Sequence, residues 1–290
     1  MTVVSDECTS GVLIRLAGTF AVERDGVPCP RALIGGRART LLQLLTVERC
    51  HAVPAAHIVD VLWDGNPPKR PADNIATLVS RLRRTLGPAA VTGGRRGYRL
   101  GEVPAVTVDL DEAAALVAEA EHRLAVDAAS LANGSTAPAE HEGAPAGKEA
   151  ALAGVAAARA LALLGCGTVL GEEADAQWVT SAQGEAEDLL RRARHAAAAA
   201  GLRTGRPADG RRTVEAAVAA DPFDEAAYRL LMRAHAASGE PARALLVYKR
   251  LRDTLAAELG TDPAVETRDL HLAILRATGR PLATGDRPPR

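Results

Sequence analysis

Between Pro71 and Leu86 the chain reads PADNIATLVSRLRRTL, and at about 100° per residue these side chains separate into two sets. Ile75, Leu78, Val79, Leu82 and Leu86 form one narrow apolar stripe. Asp73, Asn74, Thr77, Ser80, Arg81 and Arg84 take the opposite side, with Arg83 on a flank. Such a helix buries its stripe and turns guanidinium, amide and hydroxyl groups outward. Those groups match the edges of a DNA major groove: arginine can chelate O6 and N7 of guanine and asparagine N6 and N7 of adenine, while hydroxyls reach phosphates or bases. An ordinary solvated face has the same composition, so the neighbouring residues decide between the two. Upstream, Lys69 and Arg70 in NPPKRP stand where phosphates would pass the start of the helix. Downstream, Arg95, Arg96 and Arg99 cluster around a tight hairpin, as a wing reaching along a backbone would require. Several phosphate contacts of this kind make affinity steeply salt-dependent.

The elements that must position these groups are legible from periodicity. From Gly11 to about Gly26 the alternation of Val12, Ile14 and Leu16, then of Phe20 and Val22, predicts two or three short strands, with Gly18 and Asp25-Gly26 as turns. From Arg37 the period becomes helical. One helix is expected to about Arg49, with Ala38, Leu41, Leu42 and Leu45 on its packed face. A second follows Val53, with Pro54 in its first turn, and ends at Trp63-Asp64-Gly65. The third is the arginine-bearing helix, which Gly87-Pro88 terminates. Ala90 to Leu100 reads as a hairpin turning at Gly93-Gly94, and Trp63 and Tyr98 as core anchors.

Residues 105–126 and 149–164 are Ala- and Leu-rich and expected to be helical, with a polar stretch at 128–148 that reads as a flexible loop. In the last third, Gly205-Arg206-Pro207-Ala208 recurs as Gly239-Glu240-Pro241-Ala242, a shift of 34 residues and the tetratricopeptide period. Tyr228, Leu231, Ala244 and Tyr248 then fall on packing positions of one copy, and Gly210, Val214 and Ala217 on those of the other. Residues 1–10 and 277–290 read as disordered ends.

Composition narrows the function classes. Aromatic residues make up only 2% of the 290, which favours close-packed Ala/Leu/Val helices over a β-sandwich. The net charge of −1 conceals a basic block: residues 31–99 carry twelve Lys/Arg against four Asp/Glu, residues 1–30 a balance of −2, and the remainder −7. A basic module joined to an acidic one suggests a polyanion-binding part coupled to a part with another task. No leader, membrane span or zinc spacing is visible, so a cytoplasmic protein with reduced cysteines, no metal and no cofactor is expected. Gly143 to Lys148 (GAPAGK) lacks the spacing, the hydroxyl residue and the preceding strand of a phosphate loop. The histidines lie singly, nothing assembles a nucleophile, base and oxyanion donors, and the chain is not expected to be an enzyme.

The segments LLQLLTVERCHAV (41–53), HIVDVLWDGNPP (57–68), NIATLVSRLRRTLG (74–87) and RRGYRL (95–100) resemble the winged-helix domain of the Streptomyces antibiotic regulatory protein family. RALLVYKRLRDTLAAELGTDP (243–263) resembles part of the bacterial transcriptional activation domain that follows it in that family, here spanning about 105–276. The resemblance implies a mainly α fold with small β parts: a winged helix-turn-helix over 11–101, then an all-α, tetratricopeptide-like domain over 105–276. It also implies a pathway-specific activator, commonly of secondary-metabolite (antibiotic) genes. Such an activator binds direct repeats in double-stranded DNA as a dimer and recruits RNA polymerase holoenzyme. On this reading Asn74, Thr77, Arg81 and Arg84 lie on the recognition helix and Arg95 and Arg96 in the wing. Two departures stand out. The 128–148 loop is longer than usual, and the family's tryptophan-rich stretch is replaced by LLGCGTVLGEEADAQW, keeping only Trp178. The alternative is a helical-repeat interaction scaffold whose N-terminal module does not bind DNA.

Overall fold

The computed structural model describes residues 11–133, 147–173 and 175–278. They form two compact units, one of residues 11–115 with 160–190, the other of residues 116–159 with 191–278. The disorder expected for 1–10, for most of the tail and for 134–146 lies outside the described residues.

The first unit opens with β1 (Val12–Arg15), β2 (Ala21–Arg24) and β3 (Val27–Pro28). β1 and β2 pair antiparallel with Ile14 opposite Val22, and Val12, Ile14 and Val22 are buried. Between β2 and β3 the two-residue turn Asp25-Gly26 has φ of 54° and 77°, the left-handed geometry that fits a tight hairpin. The helix-turn-helix follows as α1 (Arg37–Val47), β4 (Val53–Pro54), α2 (Ala55–Trp63) and α3 (Pro71–Leu86). α1 buries not only Ala38, Leu41, Leu42 and Leu45 but also Gln43, Leu44, Thr46 and Val47. It is the central helix, packed by α2, by α3 and by the short turn at Gln177–Val179. Pro54 stands at the N-cap of α2, one position before the first turn where the sequence suggests it.

A wing completes the module: β5 (Val91–Gly94) and β6 (Gly97–Leu100) form an antiparallel hairpin, and β4 joins β6 on its other edge. Residues 106–108, expected to begin a helix, instead form β7 (Val106–Val108). β7 pairs parallel with β1, giving a four-stranded sheet of order β3-β2-β1-β7. Immediately afterwards Asp109 opens α4 (Asp109–Asn133), and its buried carboxylate accepts the N–H groups of Leu16, Ala17 and Leu110 at 2.9–3.0 Å. Residues 160–190 bring the end of α5 (Lys148–Leu164) and the start of α6 (Thr180–Arg203) into the same unit. Arg49 ties them in, pairing with Asp111 and Glu185 at 2.6 Å each. α4 continues to Asn133, so residues 128–133 are helical where a loop is expected from 128, and Gly147-Lys148 leads into α5.

The second unit contains the rest of α4, α5 and α6, then α7 (Pro207–Ala220), α8 (Glu225–Ala237), α9 (Pro241–Leu259) and α10 (Val265–Thr278). The repeated tetrapeptide marks equivalent turns. Gly205 and Gly239 sit at φ of 70° and 75°, and Pro207 and Pro241 each take the first position of the next helix. Tyr228, Val214, Ala217 and Leu231 pack with Leu251 and Leu255 into one core. Gly210 is needed where α6 and α7 touch, since a Cβ there would stand 2.9 Å from the Cα and O of Ala198. Tyr248 is half-buried and stacks on His271 with ring centroids 3.9 Å apart.

Candidate nucleic-acid interface

α3 begins with Pro71 at its first position and Asp73 in its first turn, and ends with Arg83 and Arg84 in its last. That charge order suits the helix dipole. Ile75, Val79, Leu82 and Leu86 are buried and Leu78 is half-buried, so the stripe docks as its spacing requires. Asp73, Asn74, Thr77, Ser80, Arg81 and Arg84 are exposed on the other side, together with Ala72 and Ala76, whose small side chains leave the backbone open to close approach.

The exposed groups differ in what already holds them. Asn74 Nδ2 donates to the Arg70 carbonyl at 2.9 Å, and Thr77 Oγ1 to the Asp73 carbonyl at 2.9 Å. Arg81 reaches across to the turn before α1, donating from Nε to the Leu33 carbonyl at 3.1 Å and from Nη2 to the Ala32 carbonyl at 2.9 Å. The neighbouring Arg31 pairs with Glu172, which also meets Arg39. The hydrogen bond from Arg31 and the two arginine charges hold the Glu172 carboxyl below its ordinary range. Among the described residues, the side chains of Lys69, Arg70, Ser80, Arg84 and Arg96 make no hydrogen bond or ion pair.

The wing places its two arginines differently from the sequence expectation. Gly94 pairs with Gly97, so the hairpin turns at Arg95-Arg96 and not at Gly93-Gly94. Both side chains therefore project from the tip. The glycines are needed within the strands: Gly93 has φ of 96°, and a Cβ on it would come within 2.4 Å of the Gly97 oxygen. Arg95 stands 3.9 Å from Asp73 with 85% of its side chain exposed, and Arg99, lower in the hairpin, pairs with Glu102 at 2.9 Å. Tyr98 is buried below the wing, and Trp63 is half-buried with the Arg37 guanidinium 5.5 Å from its ring centre.

α3, its approach residues Lys69 and Arg70, and the hairpin tip thus form one basic surface. Sequence reasoning missed Arg83, set aside on a flank. It donates from Nε to the Val91 carbonyl at 2.8 Å and from Nη2 to the Gly93 carbonyl at 3.1 Å. Among the described residues, no group of three or more His, Cys, Asp or Glu could hold a metal ion, and no helix is long and apolar enough to cross a membrane.

The profile of the bacterial transcriptional activator domain matches residues 126–275. The transcriptional regulatory protein EmbR of Mycobacterium tuberculosis is 28% identical over 268 residues, covering 90% of this chain and 62% of EmbR. The regulatory protein AfsR of Streptomyces griseus is 30% identical over 254 residues, covering 86% of this chain but 23% of AfsR. The chain therefore spans about three fifths of one relative (62%) and a quarter of the other (23%). A solved structure of Mycobacterium tuberculosis EmbR in complex with a low affinity phosphopeptide superposes with a TM-score of 0.73 at 27% identity, over 93% of this chain and 66% of that one. It has the same architecture, a winged N-terminal domain followed by a helical domain. On the matching activator domain and these regulator relatives, the chain belongs to the Streptomyces antibiotic regulatory protein family.

Proposed function

We propose that this chain is a sequence-specific DNA-binding transcriptional activator. α3 enters the major groove, and the Arg95-Arg96 tip follows the adjacent backbone. The observation that carries the reading is the single basic surface on which Lys69, Arg70, Ser80, Arg84 and Arg96 stand exposed and unengaged among the described residues. Asn74, Thr77 and Arg81 flank them and complete the DNA-facing set. Arg84 is the principal base reader, because Arg81 must exchange two carbonyl partners for a base edge. The regulator relatives support the choice of transcription. Family membership supports a dimer on direct repeats, recruitment of RNA polymerase holoenzyme, a role in antibiotic or other secondary-metabolite gene clusters, and a cytoplasmic location. The 34-residue recurrence of the glycine turns supports a tetratricopeptide-like reading of the helical domain, which would supply the dimer and polymerase contacts.

The test is a mobility-shift and footprinting titration on the intergenic DNA flanking the gene that encodes the chain. The parent protein is expected to protect direct repeats. Arg81→Ala combined with Arg84→Ala is expected to abolish the shift, since removing a bidentate arginine–base pairing costs about 1–3 kcal/mol. A double variant that binds like the parent would remove α3 from the interface. Binding that ignores salt would favour an interaction scaffold.

A further inference from the structure

We propose that Arg83 is a positioning residue that sets how the Arg95-Arg96 tip lies alongside α3, so that helix and wing act as one rigid basic surface. The inference rests on the reading of that surface as DNA-contacting.

Hairpins of four-residue strands are marginal on their own. β5 is the outer strand of its sheet and β6 has only the two-residue β4 on its other side, so the ladder alone does little to fix the hairpin's angle to α3. Val91, Tyr98 and Leu100 bury the base of the hairpin, and one half-buried guanidinium ties its outer strand to α3: Nε donates to the Val91 carbonyl and Nη2 to the Gly93 carbonyl, two residues apart on β5. Carbonyls two apart on a strand point to the same side, and the planar fork of arginine spans them as the single ammonium of lysine cannot. Hydrogen bonds from a charged donor are also about twice as strong as neutral ones. The clamp lies at the C-terminal end of α3. At the N-terminal end, Asp73 lies 3.9 Å from Arg95 of the tip. The hairpin therefore runs along α3, anchored at its base by Arg83 and approached at its tip by Asp73. Free rotation of the hairpin would displace Arg95 and Arg96 relative to Arg84, and the counterions released at the tip would no longer be coupled to docking of α3.

Two measurements on the full chain separate this assignment from its parent reading. In limited trypsin digestion followed by mass spectrometry, Arg83→Ala is expected to speed cleavage after Arg95 and Arg96 about tenfold, because proteolysis follows the population of the opened hairpin. Arg83→Lys, keeping the charge but on a single nitrogen, is expected to fall between. On a mixed-sequence 30-base-pair duplex read by fluorescence anisotropy across salt, Arg83→Ala is expected to flatten the slope of log K against log salt by about 1.8, the value for two phosphate contacts. In a background of Arg95→Ala with Arg96→Ala it should change the slope no further. Unchanged tryptic cleavage overturns the proposal whatever the DNA result. An undiminished Arg83 effect in the tip-less background also overturns it, since Arg83 would then touch DNA itself. Faster cleavage with no duplex binding by the parent would uphold Arg83 as the hairpin's anchor and defeat the DNA reading instead.

Discussion

Asp73 is the one carboxylate in α3, among its arginines, amide and hydroxyls, and it stands 3.9 Å from Arg95. Exposed pairs of this kind contribute little to stability, because solvent screens them and ordering two long side chains costs entropy. At a DNA interface the same carboxylate repels phosphate and competes for an arginine, which restrains binding to arbitrary sequence. Asp73→Asn is therefore expected to tighten binding to a mixed-sequence duplex and to steepen its salt slope by about 0.9, one additional phosphate neutralised. Anisotropy titrations at several salt concentrations check this; an unchanged slope would place Asp73 off the proposed DNA-facing surface. The residue scale is also where sequence reading stops soonest. Which side chains of α3 are polar and which apolar is visible in the spacing of Ile75, Val79, Leu82 and Leu86. That Arg81 grips carbonyls 48 and 49 residues away and Arg83 those of the wing is not, because backbone carbonyls carry no residue-specific signal.

Helices in the second unit depend on their ends. Asp224 is the N-cap of α8: Oδ1 accepts the Ala227 N–H at 3.0 Å, and Oδ2 lies 2.6 Å from His195 Nε2 on α6. Burial pushes this carboxyl up, but the hydrogen bonds from His195 and Ala227 and the charges of His195 and Arg191 outweigh it, leaving it below its ordinary range. A carboxyl depressed on folding stabilises the fold above its unfolded value of about 3.9 and stops doing so as pH falls through the folded value. Asp224→Asn keeps a competent cap and removes only the charge. The variant is expected to melt below the parent near pH 6, with the gap closing below about pH 4 as the parent's carboxylate takes up its proton. Parallel melting curves from pH 6 to 3 would detach His195 from the stability of α8. Elements themselves are legible where the pattern is long: α3 begins and ends where Pro71 and Gly87 place it. Short elements are not. β7 is three residues, too few to establish alternation before the Ala-rich run that follows, and the turn at Arg95-Arg96 is masked by the adjacent glycines because Gly-Gly is the stronger turn signal.

For the whole molecule, the boundary suggested by the sequence, at 101–105, would cut through the first unit. Sequence periodicity is local, whereas this unit closes through pairings 90 or more residues apart, such as the Leu16 N–H with Asp109. Val106, Val108 and Leu110 are buried in it, and so are Val169, Leu170 and Val179 from the later segment. The Leu170 N–H donates to the Leu16 carbonyl at 3.1 Å, and Gly18 meets the backbone of Cys166 so closely that a Cβ would come within 2.4 Å of its oxygen. Each large buried side chain contributes about 1.5–3 kcal/mol, so deleting these six removes about as much as the 5–15 kcal/mol that holds a domain folded. A fragment of residues 11–104 is therefore expected to lack a cooperative thermal transition, although it contains α1, α2, α3 and the wing. A fragment of residues 11–190 is expected to melt cooperatively and to retain duplex binding. Circular dichroism melts of the two fragments decide the matter. If the shorter one unfolded cooperatively within a few degrees of the longer, residues 106–115 and 160–190 would be accessories to the winged helix and not part of its core.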